Sequence, residues 1–349
     1  MRSRLSLLAD PMIAVLLVAT LLALALPAEG ELRETARLVS SIGIFLLFLV
    51  NGMRVPRGEI ALGLRNWRYF GPLMLWVFGV MALGGMGFAA LATPLLPPLV
   101  ALGFLFLGTL PSTIQSATSY TTLAGGNIAL AVVGAALLNI AGVFVTAPLF
   151  ALMAGSAAVD VGYEAIIRIG MILVLPFMIG QALQDWTGEW VRERKARIVW
   201  LDRTVIGIAV YVAMSGAVEQ GLLQMFGGAI WAWLLALTVA FLLLAHLAAW
   251  WAGGLLGYPR ADRKAFMYAG AQKSVAIGAP LAAILFKPEV AGFVIAPLLL
   301  YHLLQLLMAA PLASRLARHG GRSLRCLRGG YAAPTTRTTG QSASPRSGR

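Results

Sequence analysis

This sequence carries little charge. Only 12% of its 349 residues are Asp, Glu, Lys or Arg, and just 14 of them are acidic. With 59% hydrophobic residues and a mean hydropathy of +0.83, so few charges cannot hold a chain of this length in solution around one core. Cysteine is almost missing: Cys326 stands alone. That rules out a disulfide within the chain and a thiolate metal site, and it reads as a solvated thiol with palmitoylation as the alternative. Three histidines are present. There is neither a His-Glu-x-x-His nor a Gly-x-Ser-x-Gly pattern, and no span clusters carboxylates with a base, so an enzyme is not expected. Alternation at period two is also lacking, which excludes a β-barrel.

What is present is a series of apolar runs of about 20 residues, each long enough to cross the hydrocarbon as a helix. Ten are expected, over residues 11–27, 36–55, 67–92, 99–123, 128–153, 165–183, 204–220, 230–256, 265–286 and 290–312. The fold class is therefore all-α and polytopic. The first run follows two arginines and ends in Leu-Ala-Leu-Pro-Ala, so residues 1–27 also fit a cleaved signal. Residues 1–313 form the ten-helix domain. Residues 314–349, rich in Arg, Gly, Ser, Thr and Pro, read as a disordered basic tail.

The basic residues set the orientation. Twenty-two of the 27 lie before the first span, in every second loop and in the tail. The alternate loops hold only Arg33, Arg37 and Lys287, while Arg168 and Lys273 fall inside spans. Both termini are expected on the cytoplasmic side of the inner membrane. The net charge of +13 then marks topology and attraction to anionic lipid rather than nucleic acid.

Two spans break the apolar pattern. The fourth carries Gly108-Thr109-Leu110-Pro111-Ser112-Thr113-Ile114-Gln115-Ser116, followed by more hydroxyls up to Thr122. Pro111 removes a backbone donor and crowds the preceding turn, so a kink or break is expected there, and lipid tolerates a broken backbone only where it is enclosed by protein or lines a wet cavity. Thr113, Gln115, Ser116 and Thr118 become candidate ligands for a polar solute or cation. Alternatively, the hydroxyls bond back to their own helix. The ninth span carries Tyr268-Ala269-Gly270-Ala271-Gln272-Lys273-Ser274, ahead of Gly278 and Pro280. An amine at the centre of a span is penalised by about 2.5–3.5 kcal/mol, which marks Lys273 as a site unless it snorkels to the interface.

The interrupted spans occupy matching places if the chain is two blocks of five, about 11–153 and 165–312. An odd span count inserts the second block upside down, and paired broken helices in inverted halves point to a transporter's central site. Asn51, His246, His302, Asn139 and Gln181 read as helix-end, packing or bridging residues, with proton relay open for the histidines. Arg168 reads as snorkelling, and Trp67, Trp186, Trp190, Trp200, Trp250 and Trp251 as interfacial belt residues.

The run Thr109-Leu110-Pro111-Ser112-Thr113-Ile114-Gln115-Ser116 and the turn Ala124-Gly125-Gly126-Asn127 resemble the bile acid:sodium symporter family, in particular its orphan member-7 branch with bacterial relatives. Leu175-Pro176-Phe177 with Gly180-Gln181, Leu201-Asp202-Arg203 and Gln272-Lys273-Ser274 carry the same likeness. The resemblance implies ten helices in two inverted five-helix repeats, divided into a panel and a core. Helices 4 and 9 would break and cross in the core, and a small organic anion would pass between core and panel by alternating access. Asn127, Tyr268, Gln272, Lys273 and Ser274 join the candidate binding residues.

The sequence departs from sodium-coupled members of that family where they bind the ion. Tyr268 stands for a glutamate and Lys273 for an asparagine, Ala131 and Ala135 occupy hydroxyl positions, and the third span lacks a glutamine. Sodium coupling is therefore doubtful. The ammonium of Lys273 is expected to stand in for the ion, held by backbone carbonyls and by hydroxyls such as Ser116 and Thr118, with proton coupling as a second route. No cofactor or metal is expected. A regulatory membrane protein that no longer transports is the rival reading, and a channel the third.

Overall fold

The computed structural model describes residues 11–58, 61, 65–155, 167–225 and 227–328. In chain order the helices are α1 (Pro11–Ala25), α2 (Gly30–Arg54), α3 (Trp67–Ala92), α4 (Pro98–Thr109), α5 (Ile114–Leu123), α6 (Ile128–Ala154), α7 (Ile167–Glu193), α8 (Lys195–Glu219), α9 (Gly228–Leu255), α10 (Arg260–Ala271), α11 (Val275–Leu285) and α12 (Pro288–Arg328). One π-type turn interrupts α3 at Trp76–Val80 and another interrupts α7 at Gly170–Val174. No strand occurs among the described residues.

Among the described residues, seven helices are long and apolar enough to cross a membrane alone: α2, α3, α6, α7, α8, α9 and α12. The pair α4–α5 is bent by 64° at its break and brings the number to eight when it is counted as one span. Large apolar side chains such as Leu17, Leu38, Leu152 and Leu247 face outward. A surface of that kind fits lipid and not water, and the chain is an integral membrane protein.

Two packed groups build the molecule. In the first, α2 lies against α7 and α8, and α1 lies against α8. In the second, α4 packs on α3 and α12, while α10 packs on α9, α5 and α6. The groups meet where α8 runs along α11 and α12. Glycine permits the closest approaches. A Cβ on Gly52 would sit 2.3 Å from the Phe177 carbonyl oxygen, and one on Gly108 would sit 2.7 Å from that of Met81.

Polar contacts gather at the two ends. At one end, Arg54 and Arg57 pair with Asp202 and Asp185, each at 2.7 Å. The same end holds the Asn127 Nδ2 to Asp262 Oδ1 bond of 2.8 Å and a bond from the Tyr258 hydroxyl to the Arg68 carbonyl. Partial burial, and then the Asp262 carboxylate, raise the Tyr258 phenol above its ordinary pKa, which keeps that hydroxyl a donor. At the other end, Arg33 lies between Glu219 and Glu289, so Glu219 is an ion-pair partner rather than an isolated surface acid.

Several helices outrun their apolar cores. α2 begins at Gly30 instead of residue 36, α7 continues to Glu193, and α8 starts at Lys195. Polar residues propagate a helix once packing has nucleated it, and hydropathy cannot see those turns. α12 shows the same effect and corrects the expected start of the tail at residue 314. Its backbone is helical to Arg328, and past residue 312 Ala313 is fully buried, Leu316 packs on the core, and Ser314 Oγ bonds back to the Ala310 carbonyl. Residues 329–349 lie outside the described residues, as does the side chain of Cys326.

Candidate functional site

The site forms where two helices stop short. α4 ends at Thr109 because Pro111 pushes Leu110 to extended backbone, φ −74° and ψ 147°. α10 ends at Ala271, with Gln272 extended at ψ 140°. The chain restarts as α5 at Ile114 and as α11 at Val275. The two breaks touch: Ser274 N donates to the Pro111 carbonyl at 3.0 Å, and Thr113 Oγ1 donates to the Lys273 carbonyl at 2.7 Å.

Lys273 is fully buried at this contact. Its Nζ donates to the carbonyls of Gly108 at 2.9 Å and Leu110 at 2.7 Å. Both acceptors belong to the open end of α4, whose partial negative charge is about half an elementary unit; the end of α10 adds a similar amount. Two such ends nearly match one ammonium. Hydrogen bonds to a charged group stabilise by about 1.5–3 kcal/mol each, enough to offset the penalty of placing the amine in the membrane. No carboxylate pairs with Lys273 among the described residues.

Two further carbonyls at the breaks are also partnered. Asn139 Nδ2 donates to Ser112 O at 2.8 Å, and the Tyr301 hydroxyl donates to Ala271 O at 2.7 Å. Gln305 clasps Lys273 from α12: its Oε1 accepts the Lys273 N–H at 2.8 Å and its Nε2 donates to the Lys273 carbonyl at 3.0 Å. The same amide nitrogen lies 2.8 Å from His302 Nδ1, which must then accept. His246 Nδ1 donates to Leu242 O at 2.9 Å, leaving its Nε2 facing Gln272 Nε2 at 3.4 Å. Both histidines are packed, hydrogen-bonded residues.

A second lysine of the same interrupted segment acts in the same way. α5 closes on Gly125, at φ +67°, with Gly125 N to Thr122 O and Gly126 N to Thr121 O, the reciprocal pair that ends a helix on a left-handed glycine. Buried Lys264 donates to the Ala124 carbonyl at 2.6 Å. Asn127 then caps α6 by accepting from Leu130 N. Each half of the α4–α5 pair thus ends on a lysine from α10–α11.

The expected residues fall into three sets. Lys273, Ser274, Thr113 and Gln272 meet at the crossing. Ser116, Thr118 and Tyr268 are near it in sequence, and their hydroxyls have no partner among the described residues; of the groups expected around the ammonium, backbone carbonyls, those of Gly108 and Leu110, bond to it, and the hydroxyls of Ser116 and Thr118 do not. Gln115 is exposed, and Asn127 serves as a cap at the far end of α5. Gln305 and Tyr301 were missed, although two polar groups one helical turn apart in an apolar run offered a signal. Ala131 and Ala135 are fully buried and bring no side-chain oxygen.

Residues 10–318 match the model of the SBF-like CPA transporter family. The chain belongs to that family. Within it, the chain is 36% identical over 321 residues to an uncharacterized protein of Pseudomonas aeruginosa, covering 90% of this chain and 95% of that one. It is 32% identical over 313 residues to the Escherichia coli protein named "Putative symporter YfeH", covering 88% and 93%. The mouse protein named Sodium/bile acid cotransporter 7 is 23% identical over 289 residues, covering 78% and 82%. The resemblance read from the motifs is thus to the right family, and the chain is a membrane transporter by kinship, not an enzyme.

Proposed function

We propose that this protein is a secondary carrier that moves a small organic anion across the cytoplasmic membrane by alternating access, with the Lys273 ammonium in the place of a coupling cation. One observation carries the reading: a buried amine bound by the carbonyls of Gly108 and Leu110 at the contact of two broken helices. Carbonyls at an open helix end are what a bound cation needs, and here the chain supplies the cation itself. The open N-terminal ends of α5 and α11, at the same contact, leave partial positive charge for an anion.

The polar contacts at the ends support ten crossings, counting α1 and the α10–α11 pair with the eight spans above. Every cross-helix pair described above for either end joins segments that such a threading puts on the same side of the membrane. On this reading residues 11–153 and 165–312 are inverted repeats, and both termini face the cytoplasm. The group α1, α2, α7 and α8 is the panel that moves against the rest.

Uptake by proteoliposomes tests the proposal, with labelled benzoate, taurocholate and sulfate, and sodium or choline outside. Saturable uptake of at least one anion, unchanged in choline and at least tenfold slower in Lys273→Met, is expected. Uptake that needs sodium, or that survives intact in Lys273→Met, would overturn the role given to the amine. No saturable uptake of any anion would favour a regulator that acts through partners.

A further inference from the structure

A cavity of about 330 Å³ opens at the Arg33 end of the molecule, between the two helix groups. Arg37 from α2 and Arg168 from α7 both line it, with Ser40 and Ser41 beside them. Ser40 is 3% exposed, and its hydroxyl has no partner among the described residues. The one carboxylate among the lining residues is Glu34, 3.5 Å from Arg37. Arg168 makes no ion pair among the described residues. The opposite wall is apolar and includes Ile284 of α11 and Phe286 just beyond it.

We propose that this cavity is a separate anion subsite, at which the guanidiniums of Arg37 and Arg168 bind the carboxylate or sulfonate of a compact, partly apolar monoanion. Two guanidiniums against one carboxylate leave room for one negative charge. The planar fork of arginine matches a carboxylate with two parallel bonds. The volume lies near the lower end of small-molecule sites, roughly 300–1,000 Å³, which favours a small body over a steroid. Ile284 lies about 15 Å along α11 from Ser274, at roughly 1.5 Å per residue, so the subsite is distinct from the crossing yet built against the same half-helix. Arg168 is thereby assigned to recognition rather than to lipid headgroups.

The inference rests on the carrier reading and deepens it. Benzoate is the probe, titrated against the thermal midpoint of the purified full chain in detergent, alongside the uptake assay. The wild type should be stabilised as benzoate rises, by the logarithmic dependence expected of a ligand that binds only the folded state. The apparent affinity should fall at least tenfold in Arg37→Gln and in Arg168→Gln and recover in part in Arg168→Lys. Glu34→Gln, which removes the competing carboxylate, should bind benzoate at least threefold more tightly, and it decides alone if an arginine variant does not fold. Wild-type affinity in either arginine variant, or unchanged or weaker binding in Glu34→Gln, would overturn the subsite and leave the carrier standing if uptake persists. Stabilisation and uptake both absent for every anion would overturn the carrier as well.

Discussion

The crossing and the cavity both hold cations, and their surroundings differ in kind. At the crossing, Lys273 is sealed from solvent and bound to two carbonyls of its own chain. In the cavity, Arg37 and Arg168 stand on separate helices and face open space. A cation bound by its own backbone is part of the fold, because removing it orphans acceptors that have no other donor. A cation facing a void is available to something that arrives. Lys273 therefore reads as a fixed charge built into the frame, whereas the two arginines are placed to meet a solute.

That contrast predicts where stability breaks. Lys273→Met leaves the Gly108 and Leu110 carbonyls buried without donors, at about 1–3 kcal/mol each, so the largest loss of stability in the molecule is expected here. The thermal midpoint in detergent reads it, and a wild-type midpoint would dissolve the contrast. Lys273→Asn sharpens it: if the amine replaces an ion, this variant should regain part of the loss as sodium is raised, whereas the wild type should not respond. Gln305→Leu should follow in size, at about 2 kcal/mol, since it frees the N–H and the carbonyl of Lys273 together, although Thr113 still donates to the carbonyl. By comparison Arg168→Gln should move stability by under about 0.5 kcal/mol in the absence of anion, as for an exposed side chain.

Much of the crossing was legible in the sequence because its signals are costly ones. Pro111 cannot continue α4, and an amine at the centre of an apolar run must be compensated. The compensating groups were not legible, because backbone carbonyls carry no letter of their own: that Gly108 and Leu110 receive the amine depends on how two breaks meet. Tyr301 and Gln305 were written in α12, but only packing turns that face toward Lys273. The cavity was hidden for a different reason. Arg37 and Arg168 are far apart along the chain, each has an ordinary reading as an interfacial arginine, and their convergence is a property of the α2–α7 packing. The extent of α12 was misread because its last turns are basic and soluble in composition while their backbone remains helical.

Asn127 gives an intermediate effect and the finest test. Its side chain caps α6 and reaches Asp262 on α10, so it ties the end of α5–α6 to the same segment that supplies both lysines. Loss of a helix cap is worth about 0.5–2 kcal/mol, and Asn127→Ala should fall near the middle of that range. Asn127→Asp would keep the cap acceptor yet place a carboxylate against Asp262, so a midpoint below that of the wild type despite the retained cap would isolate the cross-helix bond. If benzoate uptake in Asn127→Ala remains within about twofold of the wild type while stability drops by about 1 kcal/mol, the residue belongs to the frame of the crossing. A much larger loss of uptake at the same stability would move it back among the solute-binding groups, and the division between framing and recognising residues would have to be redrawn at that end.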